Sequence, residues 1–233
     1  MNKIGIICAS DTELEPLLHK IEIIKTTEKA MLKFYEGKIG DVTVIVLYSG
    51  VCKVNAAIAT EILIDSFGIN VVINAGTAGG MDANVQLFDT VISEQCAYHD
   101  VADGILTDFH PWMETVYFPS NPKLLRIARE YALTSNFPIL FGTTVTGEQF
   151  IEDEKRAEIN QKFSPLSTDM ETASIAHVCY VNQIPFLAVR TITDTADHSG
   201  IENFEKNCED ASLISANIVI DLVEAFASTA VTQ

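Results

Sequence analysis

Along the chain, short apolar runs alternate with longer segments in which apolar residues recur with the period of a helix. The short runs predict strands near residues 3–9, 32–38, 42–48, 70–75, 89–97, 139–146, 166–170 and 185–192. The longer segments predict helices over residues 12–21, 53–67, 121–135, 153–162, 171–182 and 203–226. Such an alternation of strands and helices is typical of βα units, so the sequence predicts an α/β fold.

Carboxylates stand at the ends of three predicted strands. They are Asp169 with Glu171, Asp194, and the acidic turn that holds Asp11 and Glu13. A charge at the end of a buried strand is costly unless it is paired or used, and open α/β sheets bind ligands at that edge. The alternative is helix capping, with Asp11 or Thr12 as the predicted cap of the first helix. Capping accounts for single acids but not for three clusters, so the sequence favours a site.

Composition narrows the class of protein. The 233 residues, 48% of them apolar, are enough for one domain with a large core, predicted to span residues 1–233. No apolar run is expected to approach a membrane span, and the stretch 4–9 is too short for a signal peptide. Five scattered cysteines without a CxxC pair predict reduced thiols in a cytoplasmic protein, and the histidines show no metal-ligand spacing.

The net charge of −17 bears on the partners of the chain. It argues against nucleic acid and against anionic membrane surfaces, and it predicts a substrate that is not a highly charged anion. Arginine is scarce, since Arg126 is the first in the chain and only Arg129, Arg156 and Arg190 follow. The sequence therefore predicts neither a nucleic acid nor a membrane as a partner.

Two glycine-containing segments follow predicted strands, at Ser49–Lys53 and Asn74–Gly80. Small residues there let the backbone approach a ligand, although glycines after strands usually mark only turns. Neither segment is a Walker loop or a dinucleotide fingerprint. A third segment, Asp100–Pro119, is predicted to be irregular and carries large apolar residues, among them Phe109 and Trp112. Such surface needs a cover, so this segment is either a lid over the site or an interface with a second subunit.

Several ordered blocks of residues, spread over nearly the whole chain, match one known family. The blocks are Lys3–Ile7, Ser49–Val54, Asn74–Gly80, Tyr98–Asp100, Thr146–Ile151, Asp169–Glu171, Ile175–Cys179 and Arg190–Asp197. In these blocks the chain resembles the bacterial 5′-methylthioadenosine/S-adenosylhomocysteine nucleosidases, within the purine nucleoside phosphorylase-like superfamily. The resemblance implies a single α/β domain in which helices flank a central mixed sheet or distorted barrel. It also implies a homodimer without a metal or organic cofactor.

The resemblance further implies hydrolysis of the N-glycosidic bond of 5′-substituted adenosines, such as 5′-methylthioadenosine, S-adenosylhomocysteine and 5′-deoxyadenosine. Glu13 is then expected to activate the attacking water, Asp194 to protonate adenine N7, and Glu171 to bind the ribose hydroxyls. The other implied site residues are Met170 against the sugar, Phe150 stacked on the purine, Ile151 reading the purine edge through its backbone, Thr77 and Arg190 positioning the water and the acids, and Val51 and Phe204 in the substrate pocket.

The chemistry itself requires ionisable acids. The bond breaks through a sugar cation, and adenine leaves poorly as an anion, so a carboxylic acid that a dry pocket keeps protonated must give it a proton. Two alternatives stay open: a phosphorylase of the same superfamily, which needs arginines for phosphate, and a nucleoside-binding protein without turnover. The chain departs from the family at Ser10, Thr77, Thr193 and residues 100–108, and the preferred 5′ substituent stays open as well.

Overall fold

The structure is a computed structural model that describes residues 3–109, 113–151, 153–195 and 201–230. Its strands are β1 Lys3–Cys8, β2 Glu22–Lys29, β3 Leu32–Ile39, β4 Val42–Tyr48, β5 Val71–Gly80, β6 Thr90–Tyr98, β7 Tyr117–Pro119, β8 Ile139–Thr146, β9 Ser167–Asp169 and β10 Phe186–Asp194. Its helices are α1 Asp11–Leu18, α2 Lys53–Phe67, α3 Ile105–Phe109, α4 Pro122–Ala132, α5 Asp153–Phe163, α6 Thr172–Val181 and α7 Ile201–Ala230. Every helix and strand predicted from the sequence is present.

The structure corrects the prediction at four places. β2 was missed because nearly all its residues are exposed, which leaves no alternation of apolar and polar positions to read. α3 and β7 were missed because five and three residues are too short to show a period. The predicted turn over Asn74–Gly80 is wrong, since β5 continues to Gly80 by pairing with β10 and β9. Hydrogen bonds to the two neighbouring strands keep this segment extended despite the tendency of glycine to form turns.

The strands form one mixed sheet, part of which closes on itself. The order is β10-β6-β8-β9-β5-β1-β4-β3-β2, and β10 also pairs with β5. β5, β10, β6, β8 and β9 therefore form a closed ring, from which β1, β4, β3 and β2 extend as an open sheet. The β1–β5 and β5–β10 pairs are parallel, whereas β9 runs antiparallel to β5. The predicted fold class, a mixed sheet or distorted barrel flanked by helices, is confirmed.

Both faces of the sheet are covered by helices. Successive residues of β1 point to opposite faces of the sheet and belong to different hydrophobic clusters. Ile6 belongs to the cluster that includes residues of α1, α4 and α7, and Ile7 to the cluster that includes residues of α2 and α6. β4 repeats the pattern with Val46 and Leu47. A strand buried on both faces must be apolar at every position, which explains the continuous apolar runs in the sequence. The carboxyl ends of these strands are thereby held at a rigid edge.

α7 is long and apolar enough, by length and composition alone, to cross a membrane. The expectation that no segment approaches a membrane span is therefore wrong for this helix. Half of its most apolar window is buried, and the helix packs against α1, β5 and β10, as core helices of globular proteins also do. The five cysteines form no disulfide, and the cytoplasmic location inferred from them stays a prediction.

Candidate active site

Glu13 fills a gap between two strands. β1 pairs with β5 as far as Ile7, and β9 takes over the same edge of β5 at Gly79. In the interval, Oε2 of Glu13 accepts a hydrogen bond from the N–H of Ala9 at 2.6 Å. Its Oε1 accepts from the N–H and the Oγ1 of Thr77 at 2.7 and 2.9 Å. The carboxylate thus satisfies backbone donors that the separated strands leave unpaired, at the place where α/β sheets bind ligands.

The start of α1 fixes the direction of the Glu13 side chain. Ser10 is the N-cap, and its Oγ accepts a hydrogen bond from the N–H of Glu13 at 3.3 Å. The prediction that Asp11 or Thr12 caps this helix is wrong. Space for the carboxylate comes from Gly76, where a Cβ would lie 2.4 Å from the Glu13 carboxyl carbon and where φ is +147°. Only glycine fits this position without displacing the acid.

Arg190 is a buried cation surrounded by acids. Its Nε lies 3.2 Å from Oδ2 of Asp169, and its Nη2 lies 3.3 Å from Oε2 of Glu171. Its Nη1 donates to the carbonyl of Ala75 at 3.4 Å. Burial opposes the charge of Arg190, but the carboxylates of Asp169, Glu13 and Glu171 outweigh it and raise the pKa of the guanidinium. The cluster therefore holds β10, β9, β5 and the start of α6 together.

Asp169, one of the strand-end carboxylates that mark the site in the sequence, anchors this cluster, although the family resemblance gives it no role. Its Oδ1 accepts hydrogen bonds from Oγ1 of Thr146 at 2.7 Å and from the N–H groups of Glu171 and Thr172 at 3.2 and 3.0 Å. The capping alternative therefore holds for Asp169 at the start of α6. It fails for Glu171, whose side chain makes no capping bond. The Asp-Met-Glu pattern was the signal that marked both acids.

Glu171 points into the site. Its Oε1 accepts a hydrogen bond from the N–H of Cys52 at 2.9 Å, and Cys52 has φ +82°, a conformation rare outside glycine. Burial raises the pKa of Glu171 to about 7; Arg190 opposes this rise and Asp169 adds to it. Three acids share one guanidinium here, so Glu171 gains or loses its proton near neutral pH.

Asp194 is the last residue of β10 and lies opposite Gly79 of β5, after a bulge in the pairing. Its Oδ1 accepts a hydrogen bond from Oγ1 of Thr193 at 2.8 Å. A Cβ at Gly79 would approach its Oδ2 to 3.0 Å. Burial raises the pKa of Asp194, while the Thr193 hydrogen bond and the charge of Arg156 offset part of that rise. The carboxyl group therefore keeps its proton to higher pH than a surface aspartate, as a general acid must.

One cavity of about 250 Å³ joins these acids. The structure brings every site residue named from the sequence into its lining: Glu13, Val51, Thr77, Phe150, Ile151, Met170, Glu171, Arg190, Asp194 and Phe204. Phe150 and Phe204 meet edge to face, with ring centroids 6.1 Å apart. The lining also includes the strand-end acid Asp169, to which the resemblance gives no role, and Arg156, which was not predicted to lie in the site. The catalytic and binding roles given to the ten residues stay predictions.

Comparison with known proteins agrees with this geometry. A sequence profile described as the phosphorylase superfamily matches residues 3–224. A relative from Exiguobacterium sp., named 5′-methylthioadenosine/S-adenosylhomocysteine nucleosidase, is 38% identical over 226 residues, which cover 94% of this chain and 96% of the relative. The chain belongs to the 5′-methylthioadenosine/S-adenosylhomocysteine nucleosidase family. The family predicted from the sequence is thereby confirmed.

Solved structures of this nucleosidase family and its neighbours share the fold. The nucleosidase from Colwellia psychrerythraea, solved in complex with adenine, is 32% identical with a TM-score of 0.87, covering 96% of this chain and 95% of its own. The futalosine hydrolase of Helicobacter pylori is 26% identical with a TM-score of 0.88, covering 96% of this chain and 97% of its own. Proteins with different names thus use one scaffold.

Replacing Arg190 with Met is expected to lower the free energy of unfolding by about 3–5 kcal/mol, because Asp169 would be left as a buried, unpaired charge and Glu171 would lose its ion pair. The matched control is Arg126→Met, which breaks an exposed pair with Glu130 and is expected to cost less than about 1 kcal/mol. Urea unfolding followed by circular dichroism measures both values. Similar losses in the two variants would contradict the assigned role of Arg190.

The raised pKa of Glu171 predicts a pH-dependent stability. The folded state holds this proton more strongly than the unfolded state, so the stabilising contribution is complete below about pH 4.5 and is lost as the pH rises through about 7. Glu171→Gln removes the titration, so the variant should gain stability relative to the wild type as the pH rises through this window. Unfolding free energies on either side of the window test this, with exposed Glu130→Gln as control. A difference independent of pH would refute it.

Proposed function

We propose that this chain hydrolyses the N-glycosidic bond of 5′-substituted adenosines, namely 5′-methylthioadenosine, S-adenosylhomocysteine and 5′-deoxyadenosine, to adenine and the free ribose derivative. The observation that carries this proposal is that two carboxyl groups with unlike surroundings share one cavity. Glu13 accepts three hydrogen bonds from N–H and O–H donors. Asp194 accepts one from Thr193 among the described residues, and burial raises its pKa. The cavity therefore holds a proton acceptor and a proton donor together.

In the proposed reaction, Asp194 gives its proton to N7 of adenine while the bond between C1′ and N9 breaks. The electron pair of that bond leaves with adenine, and the sugar becomes a cation. Water then adds to C1′, and Glu13 takes the proton that the water releases. Glu171 accepts hydrogen bonds from the ribose hydroxyls, and negative charge in the cavity stabilises the cationic sugar. The scheme uses side chains alone.

Glu13 and Asp194 approach β5 from opposite edges. Glu13 accepts from Thr77 on the edge that β1 leaves, and Asp194 lies opposite Gly79 on the edge that pairs with β10. A nucleoside that lies across the end of β5 would have one carboxyl group on each side, so the donor and the acceptor of the proposed reaction can act on different parts of the substrate.

The surroundings of Arg190 favour hydrolysis over phosphorolysis. Its guanidinium already contacts Asp169, Glu171 and the carbonyl of Ala75, so a phosphate bound there would face two carboxylates. The deciding assay is adenine release from the three nucleosides in phosphate-free buffer. Equal amounts of adenine and free reducing sugar support the proposal. A strict requirement for phosphate would identify a phosphorylase, and tight nucleoside binding without release would identify a binding protein; either overturns it.

Asp194→Asn is expected to lower kcat by about 10²–10⁴-fold, because an amide cannot protonate the leaving adenine. Nucleoside binding should be retained, since Asn keeps the size of Asp and its acceptor oxygen for Thr193. Steady-state kinetics and calorimetric titration measure the two quantities. Asp41→Asn, a change at an exposed turn residue, is the matched control. A kcat near the wild-type value would remove Asp194 from the mechanism.

We also infer that the protein is a homodimer. Large apolar side chains are exposed on the helices α2 and α3. They are Val54 and Ile58 on α2 and Ile105 and Phe109 on α3. Lys53, at the start of α2, forms an ion pair of 2.9 Å with Asp100, in the segment that leads from β6 to α3. Apolar groups clustered on a surface mark an interaction site more often than a free surface, and two-fold pairing is the commonest arrangement.

Phe109→Glu tests the dimer, because 80% of this side chain is exposed and a charge there would be buried in an interface. We expect the variant to become monomeric in light scattering at micromolar concentration, with weaker nucleoside binding. Leu133→Glu, at an 86% exposed residue after α4, is the control. A monomeric wild type, or an unchanged mass in the Phe109 variant, would refute this interface. Trp112, the anchor predicted from the sequence, lies outside the described residues.

A further inference from the structure

Arg156 is a buried cation that the reaction described above does not use. It lies on α5, most of whose described side chains are polar, yet only 7% of Arg156 is exposed. It lines the same cavity as Asp194 and Phe150. Unlike Arg190, it forms no ion pair with any carboxylate in the part of the chain that the structure describes. A buried guanidinium without a counter-ion is costly, so its position needs a reason.

The contacts of Arg156 tie α5 to the end of β5. Its Nη1 donates to the carbonyl of Gly80 and lies 3.4 Å from the sulfur of Met81. One turn further along α5, Nδ2 of Asn160 donates to the carbonyl of Met81 at 2.9 Å. Two side chains on one face of the helix thus bind successive carbonyls of the strand end. The Nε of Arg156 has no hydrogen-bond partner within the described ranges.

The strand end that Arg156 binds is the surface against which Asp194 packs. Gly79 lies opposite Asp194 in the β5–β10 register, and a Cβ there would come within 3.0 Å of Oδ2. A Cβ at Gly80 would come within 3.3 Å of the Asp194 carbonyl oxygen. A shift of Gly80 would therefore move the wall that positions the acid.

We propose that Arg156 is a positioning residue for Asp194, which holds the Gly79–Gly80 end of β5 against the acid and places a positive charge in the same cavity. This inference rests on the proposed function, in which Asp194 is the proton donor. When Asp194 gives its proton to N7 it becomes a carboxylate, and the positive charge of Arg156 favours that carboxylate.

The charges around Asp194 make the direction of the effect testable. The cavity also contains Glu13, Asp169, Glu171 and Arg190. The first ten residues of α7 carry exposed Glu202, Glu205, Lys206, Glu209 and Asp210 and buried Cys208. β5 carries no titratable side chain, and Glu94 of β6 pairs with Arg129 of α4. Burial raises the pKa of Asp194, and Arg156 is the charged residue that lowers it. Removing the charge of Arg156 should therefore raise the pKa of Asp194 further.

The test compares three substitutions that separate the charge from the anchor. Arg156→Gln removes the charge and keeps a donor for Gly80, Arg156→Lys keeps the charge, and Arg156→Met removes both. In the pH dependence of kcat/KM for adenine release, the alkaline limb should move to higher pH in the Gln and Met variants and stay in place in the Lys variant. The Met variant should also lose about 10–100-fold in kcat through misplacement of the acid. Arg126→Met is the surface control.

A second readout keeps this inference separate from the proposed function. The carboxylic acid band of Asp194, identified in infrared difference spectra by its loss in Asp194→Asn, is titrated in each variant without substrate. A wild type that releases no adenine would overturn the proposed function, while the infrared titration would still decide the role of Arg156. If the band titrates at one pH in the wild type and in the Gln and Met variants, Arg156 is only a structural anchor and the inference fails.

Discussion

A buried guanidinium is the interaction on which the site depends. Taking Arg190 out of water costs several kcal/mol, and the carboxylates of Asp169 and Glu171 offset this cost only while they stay within about 3.3 Å. Because each partner comes from a different element, and Ala75 of β5 supplies a carbonyl as well, the same contacts fix the relative positions of β10, β9, β5 and α6. The cluster contributes placement of the acids more than net stability.

The end of β5 complements this cluster by having almost no side chains. Glycine or alanine occupies most positions from Ala75 to Gly80, so acids from α1 and β10 reach the backbone itself. Glu13 occupies the gap where β1 leaves the strand, and Asp194 lies against Gly79 where β10 ends. The floor of the cavity is therefore made of peptide groups, whose positions a change of rotamer cannot alter.

Much of this arrangement follows from local signals in the sequence. Strands and helices with a clear period are readable, and so are acids at strand ends such as Glu13 and Glu171. Structure that depends on pairing with neighbouring strands cannot be predicted from local sequence. β2 is exposed almost throughout and forms by pairing with β3. The residues from Gly76 to Gly80 favour a turn by their composition, but they continue β5 because β9 and β10 pair with them. Arg156 escapes detection because it stands in a polar helix whose pattern gives no reason to bury it.

The order of these elements along the chain determines when the site can be completed during synthesis on the ribosome. β10, which closes the ring beside β5, comes late, and Ser215 of α7 then bridges the N–H of Gly76 and the carbonyl of Val189. Until those segments are synthesised, β5 keeps an unpaired edge and Glu13 has no acid opposite it. Parallel pairing between distant segments is slow and exposes strand edges to aggregation. A nascent or truncated chain that lacks β10 and α7 therefore has no activity at all, and it exposes the unpaired edge of β5.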